Sequence, residues 1–228
     1  MTAATALAEA RPLFGQDLLG PEELRRVLGA DPHALVGGDA RLLSEVPYDA
    51  ATLRAAHGRG ELLVLRVPTD GHAPLTTLRL RARFPNAIQE KLMRGVGYQL
   101  KDEWTLERER FAASATCSLG WRLAFKAPIP ATCNLSYGLQ DEALGDYAAS
   151  AGLGGVLRRR SAIEILYDTI LYERATGVRL LEREWDWSDT PTADGGFITA
   201  GAFAPDGLSV LGYSRAVRFG TLGICGQH

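Results

Sequence analysis

Residues 161–177 read SAIEILYDTILYERATG and carry the clearest secondary-structure signal in the chain. Ser161 and Glu164 have the spacing of a capping box, in which each side chain accepts a hydrogen bond from the backbone of the other residue. Apolar positions then recur with the period of a helix at Ile163, Leu166, Tyr167, Ile170 and Leu171. Because glycine commonly ends helices, Gly177 marks the end of the pattern. The stretch predicts one amphipathic core helix.

Before this helix the chain carries helix and strand signals. Pro21 after Gly20 begins a predicted helix that runs to about Leu28, and residues 137–149 predict another helix. Residues 61–67 (ELLVLRV) and 75–84 are apolar or alternating and surround a turn, so they predict a central β-hairpin or small sheet. The alternation of Trp121, Leu123 and Phe125 predicts a further strand.

After the helix the composition changes to glycine, aromatic residues and short apolar runs, which indicates short strands and tight turns. We therefore expect an α+β fold with a helical amino-terminal part, a small central sheet, the core helix and a Gly- and Trp-rich β tail. The expected organisation is a single globular domain over 1–228. A possible subdivision is an amino-terminal α+β part over 1–156 and the helix plus β tail over 157–228.

Composition and charge exclude several classes of protein. The 228 residues are 46% hydrophobic and 23% charged, as in an ordinary globular protein, which excludes intrinsic disorder. The net charge is −2, so there is no excess positive field to hold a nucleic-acid backbone. The three cysteines show no metal-ligand spacing.

The beginning of the chain lacks the basic and apolar regions of a signal peptide. The longest charge-free stretch, 127–140, contains two prolines and does not suit a membrane span. We expect a soluble bacterial protein in the cytoplasm, without a nucleic-acid or membrane partner.

The tail carries three short motifs in order: 185–188 (WDWS), 194–197 (DGGF) and 219–224 (FGTLGI). This order resembles the closing part of the formylglycine-generating-enzyme-like branch of the C-type-lectin-like fold. The same module is similar to the ligand-displaying domain of retroelement-diversified bacterial proteins. The resemblance covers at most about the last quarter of the chain. The family's reactive cysteine pair and its histidine iron site do not map onto this sequence, so the resemblance implies a fold and not an activity.

Trp185 and Trp187 are two residues apart and share one face of a strand. Core packing is the first interpretation of such a pair, and an aromatic platform for a ligand is the alternative. Alanine at Trp187 would separate the two, since only a core role predicts a large loss of stability.

Four carboxylates lie close together in the tail sequence and suggest a site for a divalent cation such as calcium, which binds loop oxygens. They are Asp186, Asp189, Asp194 and Asp206. The alternative is structural, because Asp194-Gly195 and Asp206-Gly207 are also ordinary turn dipeptides.

Arg158, Arg159 and Arg160 directly precede the core helix, where the positive end of the helix dipole disfavours cations. A bound phosphate or carboxylate would relieve this repulsion, and so would nearby acidic side chains. The sequence thus leaves two alternatives, an anion site and neutralisation by water and nearby acidic side chains.

Three functional hypotheses follow. The first is a non-enzymatic binding or assembly protein that uses the Trp- and Gly-rich tail surface to bind a protein or a small molecule. The second is a metal-dependent enzyme with a carboxylate site in the loops of 186–206. The third is a structural subunit of a larger assembly.

Overall fold

The computed structural model describes residues 4–89, 106–153 and 157–228. The helices are α1 (Leu7–Phe14), α2 (Pro21–Leu28), α3 (Pro32–Leu35), α4 (Ala50–Gly58), α5 (Thr77–Arg83), α6 (Arg110–Ser114), α7 (Tyr137–Ser150) and α8 (Ala162–Thr176). The strands are β1 (Thr5–Ala6), β2 (Leu18–Leu19), β3 (Glu45–Val46), β4 (Glu61–Arg66), β5 (Ile88–Gln89), β6 (Gly120–Phe125), β7 (Trp185–Pro191), β8 (Phe197–Ala204), β9 (Gly207–Tyr213) and β10 (Leu222–Gly223). The fold class is α+β, as the sequence predicts.

The predicted core helix is confirmed as α8. Its capping box is formed, with the Glu164 carboxylate accepting from the backbone N–H of Ser161 at 2.8 Å. Gly177 ends the helix at a φ of 76°, in the left-handed conformation. All eleven residues from Ala162 to Tyr172 are buried, including the charged residues Glu164 and Asp168. We call these two side chains the polar stripe of α8. Because the stripe points into the protein and not toward solvent, it must find its partners inside the fold.

The central β structure is a small sheet in the order β2-β4-β6. The predicted β-hairpin between 61–67 and 75–84 is wrong. β4 instead pairs with the distant strand β6, in a register that places Leu63 opposite Leu123. Residues 77–83 form α5, because Thr76 caps it by accepting from the backbone N–H of Arg79 at 3.2 Å. Arg79, Arg81 and Arg83, which alternate with apolar residues in this stretch, thus lie on a short helix.

Residues after β10 extend this small sheet. The backbone N–H of Phe125 donates to the carbonyl of Gly226 at 2.9 Å, and that of Leu123 donates to the carbonyl of His228 at 3.0 Å. Gln227 exchanges two backbone hydrogen bonds with Arg158, at 2.9 and 3.0 Å. The segment 224–228 therefore lies between β6 and the residues that precede α8. The bonds of Phe125 and Leu123 cross the possible boundary between 1–156 and 157–228, although residue 156 itself lies outside the described residues.

The four tail strands β7–β10 form a five-stranded sheet with β5 of the amino-terminal part, in the order β10-β7-β8-β9-β5, and this confirms the predicted tail strands. We call the face toward α8 the inner face and the opposite face the outer face. Cross-strand neighbours share a face, so Asp186, Ala200 and Val210 form one inner row. Trp187, Thr199 and Leu211 form one outer row. Among the described residues, no helix has the length and apolar character that a membrane crossing requires.

Candidate functional site

Arg160, the last of the three arginines before α8, belongs to a buried network of ion pairs. Arg160 donates to Asp168 at 2.9 Å and to Asp186 at 2.7 Å, so it connects the core helix to β7. Arg66 of β4 donates to Asp168 at 2.5 Å and to Glu164 at 2.7 Å. All five side chains are buried. The network therefore connects the β2-β4-β6 sheet to the five-stranded sheet through the polar stripe of α8.

Burial and charge act in opposite directions on these groups. Burial alone would raise the pKa of Glu164, but the nearby Arg66 and the hydrogen bonds from Arg158 and Ser161 outweigh it and lower the pKa to about 2. Burial raises the pKa of Asp186, and the attraction of Arg160 offsets only part of that effect. The surroundings therefore favour the charged form of Glu164 and disfavour that of Asp186.

The donors expected to bind an external anion are occupied by the chain itself. The guanidinium of Arg159 donates to Asp141 at 2.6 Å, to Gln140 at 3.1 Å and to the carbonyls of Tyr137 and Trp187. At the amino terminus of α8, the backbone N–H of Ala162 donates to the hydroxyl of Thr190 at 2.8 Å.

Arg158 is the most exposed of the three arginines, with a side chain 52% exposed, yet it is paired with Glu164 at 3.0 Å. Of the alternatives left open by the sequence, the geometry therefore favours neutralisation by nearby acidic side chains.

The four tail carboxylates do not converge on one point. Asp186 lies on the inner face and accepts from Arg160 and from the backbone N–H of Cys225. Asp189 is exposed near the end of β7, and Asp194 accepts from the hydroxyl of Thr192 at 2.6 Å in the β7–β8 turn. Asp206 lies in the β8–β9 turn, at the other end of β8 and therefore on the order of 20 Å from Asp194.

Within the described ranges, no group of three or more His, Cys, Asp or Glu side chains is arranged to hold a metal ion. The geometry therefore does not support the predicted calcium site.

The paired tryptophans lie on the outer face, as their spacing requires, but both are buried. Trp187 is 0% exposed and Trp185 is 7% exposed. They pack in a second hydrophobic cluster with Tyr137, Leu211, Val217 and Leu222, separate from the main core around α8. Neither ring presents a free face to a ligand. Their position favours the core interpretation over the platform.

A strap, residues 214–221, covers part of this second cluster. The backbone N–H of Tyr137 donates to the carbonyl of Arg215 at 3.1 Å, and that of Asn134 donates to the carbonyl of Phe219 at 3.2 Å. The strap is thus attached to the residues at the beginning of α7. Rings in and beside the strap are only half-buried and so remain partly accessible.

We call the partly accessible region the aromatic surface and define it by Phe197, Tyr213, Arg215, Arg218 and Phe219. Its three rings are half-buried and its two arginines are exposed. Tyr213 and Phe219 meet edge to face, with ring centroids 6.0 Å apart. The ring of Trp185 lies 6.3 Å from Tyr213 and 6.5 Å from Phe219. The buried ring of Trp185 therefore packs against the half-buried rings of Tyr213 and Phe219.

Sequence reasoning did not select this surface as a site. Phe197 and Phe219 belong to the quoted tail motifs, but Tyr213, Arg215 and Arg218 were not candidates. One signal was present, since residues 207–228 contain two arginines and no aspartate or glutamate.

Comparison of the chain with protein-family models, curated proteins and solved structures finds no match. The resemblance of the tail to the C-type-lectin-like fold therefore stays a prediction, and the functional argument depends on the geometry alone.

Proposed function

We propose that this protein is a non-enzymatic binding protein and that the aromatic surface is its binding site. The observation that carries the proposal is the position of two exposed arginines among three half-buried rings. Aromatic residues and arginine dominate binding energy in protein interfaces, because they offer a large contact area together with a polar group. The surface combines these residue types in one short stretch of the chain.

The chemistry of the buried groups supports binding over catalysis. Burial raises the pKa of the thiols of Cys117 and Cys225 well above the usual range, so both remain protonated and poorly nucleophilic. The buried carboxylates Glu164, Asp168 and Asp186 are paired with arginines inside the network. These groups stabilise the fold and have no access to a substrate.

Charge reversal on the strap tests the proposal. A fragment library and a displayed peptide library would be screened against the natural protein, and each binder would be measured again on the double variant Arg215→Glu, Arg218→Glu. We expect the binders to lose at least about tenfold in affinity, because both cations of the surface are inverted. Arg54→Glu is the matched control, since Arg54 is an exposed arginine on α4, far along the chain from the tail.

Two outcomes would contradict the proposal. Binders that keep their affinity on the double variant would place the site elsewhere. Turnover of any fragment, followed by product formation, would favour the enzyme hypothesis. Circular dichroism of each variant distinguishes loss of binding from loss of fold.

A further inference from the structure

The ring of Phe197 is held from one side by a rigid stack. The Phe197 and Tyr137 rings are stacked, with centroids 4.1 Å apart and planes 19° apart. The guanidinium carbon of Arg159 lies 3.9 Å from the Tyr137 centroid, and two groups this close to one ring must occupy opposite faces. Arg159 itself is fixed by its hydrogen bonds to Asp141 and Gln140. The stack therefore presents Phe197 in a set orientation.

Arg215 lies beside this stack and not on top of it. Its guanidinium carbon is 4.9 Å from the Phe197 centroid and 5.9 Å from the Tyr137 centroid. The centroids of Phe197 and Tyr137 are 4.1 Å apart. A group centred over the outer face of Phe197 would therefore lie at about twice that distance from Tyr137, which is farther than the 5.9 Å observed for Arg215. The guanidinium is therefore at the edge of the rings. It does not cover the face of Phe197 that points away from Tyr137, and the half-buried ring keeps part of its surface accessible.

The cation beside that face lacks a charged partner. Within the part of the chain that the structure describes, the Arg215 guanidinium forms no ion pair and donates no hydrogen bond. Asp194, in the turn that precedes β8, accepts from the hydroxyl of Thr192. An open aromatic face next to an unpaired guanidinium matches a ligand that has both a ring and a negative charge.

We propose that the outer face of Phe197 binds a small molecule with a planar aromatic ring and an attached carboxylate or phosphate. The ring stacks on Phe197, and the anionic group pairs with Arg215. This inference rests on the proposed function and specifies the chemical class of its ligand.

Four probes separate the two parts of the recognition. They are 2-naphthoate, 2-naphthyl phosphate, cyclohexanecarboxylate, which lacks a planar ring, and 2-naphthalenemethanol, which lacks a charge. Dissociation constants would be measured by protein-observed NMR on the full chain. We expect at least one of the two naphthyl anions to bind at least about tenfold more tightly than both the saturated acid and the neutral alcohol. The stronger of the two then identifies the anionic group as carboxylate or phosphate.

Two variants assign the contacts. Arg215→Met keeps the length of the side chain and should weaken the naphthyl anion about tenfold while leaving the neutral alcohol unchanged. Phe197→Leu should weaken all three naphthyl compounds. Since Phe197→Leu also removes the stack on Tyr137, its thermal unfolding must be measured alongside. Arg54→Met is the matched control and should change nothing.

The ligand class is overturned if cyclohexanecarboxylate binds as tightly as 2-naphthoate, if Arg215→Met leaves the naphthyl anions unaffected, or if none of the probes binds. The proposed function is tested by a different result. Library binders of another chemistry that lose affinity on the Arg215→Glu, Arg218→Glu variant would preserve the binding role while rejecting an aryl anion as the ligand.

Discussion

The two faces of the tail sheet are made by alternate residues of the same strands, yet they are stabilised differently. The inner face carries a carboxylate, Asp186, and reaches full burial because Arg160 neutralises it at 2.7 Å. The outer face carries Trp185 and Trp187 and is covered by Tyr137 and the strap. A buried charge tolerates no missing partner, whereas an apolar cluster tolerates partial exposure. The inner face is therefore suited to structure, and the outer face has surface to offer a ligand.

The largest effect is expected on the inner face. Asp168→Asn keeps the shape of the side chain but removes the charge that Arg66 and Arg160 share. Breaking a buried ion pair in this way leaves cations uncompensated and should cost about 3–5 kcal/mol of unfolding free energy. Chemical denaturation followed by circular dichroism measures the loss. Asp146→Asn, an exposed position on α7, is the matched control, and an equal effect in both variants would contradict the role of the network.

On the outer face, Trp187→Ala should cost about 3–5 kcal/mol, because the ring is fully buried and its removal leaves a cavity. Trp187→Phe should cost clearly less, since the indole Nε1 has no hydrogen-bond partner among the described residues and the smaller ring loses volume alone. The same denaturation experiment compares the two. A near-neutral Trp187→Ala would revive the platform interpretation.

Acid should act through the inner face. The folded pKa of Glu164, about 2, is below its usual value of 4.5, so the stabilisation from this carboxylate is complete above about pH 5. That stabilisation is lost as the pH falls from about 4.5 toward 2. Between these limits the natural protein should lose on the order of 3 kcal/mol more than Glu164→Gln does. The raised pKa of Asp186 acts in the opposite direction, but it is present in both proteins and largely cancels in the difference.

This pH experiment is a series of denaturation curves for both proteins across the acidic range. Equal slopes of stability against pH would show that Glu164 is not held in its charged form by the network.

A smaller effect is expected where the tail sheet admits no side chain. A Cβ at Gly201 would lie 2.0 Å from the carbonyl oxygen of Glu184 and 2.7 Å from the Cα of Trp185. Both obstacles are backbone atoms, so Gly201→Ala should lower the free energy of unfolding by about 1–3 kcal/mol. Thermal or chemical denaturation measures the change. Gly220→Ala on the strap is the control, since nothing lies within 4 Å of its added methyl group. Similar stabilities for the two variants would contradict the close approach.

Sequence reasoning succeeded where the signal is local. The capping box of Ser161 and Glu164, the alternation around Leu123 and the proline at the beginning of α2 each need only a few neighbouring residues, and each element is present. The hairpin failed because Thr76 caps a helix, and because the true partner of β4 is the distant strand β6. Alternation over a few residues did not separate α5 from a strand.

Neither the buried ion-pair network nor the aromatic surface could be derived from local sequence signals. Arg66 and Asp168 are 102 residues apart in the chain, and Arg160 and Asp186 are 26 apart, so no sequence window contains both members of either pair. The outer face needed a different kind of information. Which rings remain half-buried depends on the path of the strap, and that path is set by its hydrogen bonds to Asn134 and Tyr137.

The smallest effect should come from the strap itself. Arg215→Ala and Arg218→Ala should each change the unfolding free energy by less than about 0.5 kcal/mol, because both side chains are exposed and form no ion pair within the described ranges. Thermal unfolding of the two variants, with Arg54→Ala for comparison, provides the measurement. A loss above about 1 kcal/mol would mean that the guanidinium beside Phe197 holds the strap in place. A near-zero change would leave this cation without a structural role, and binding would then be the remaining reason for its position at the edge of an open aromatic ring.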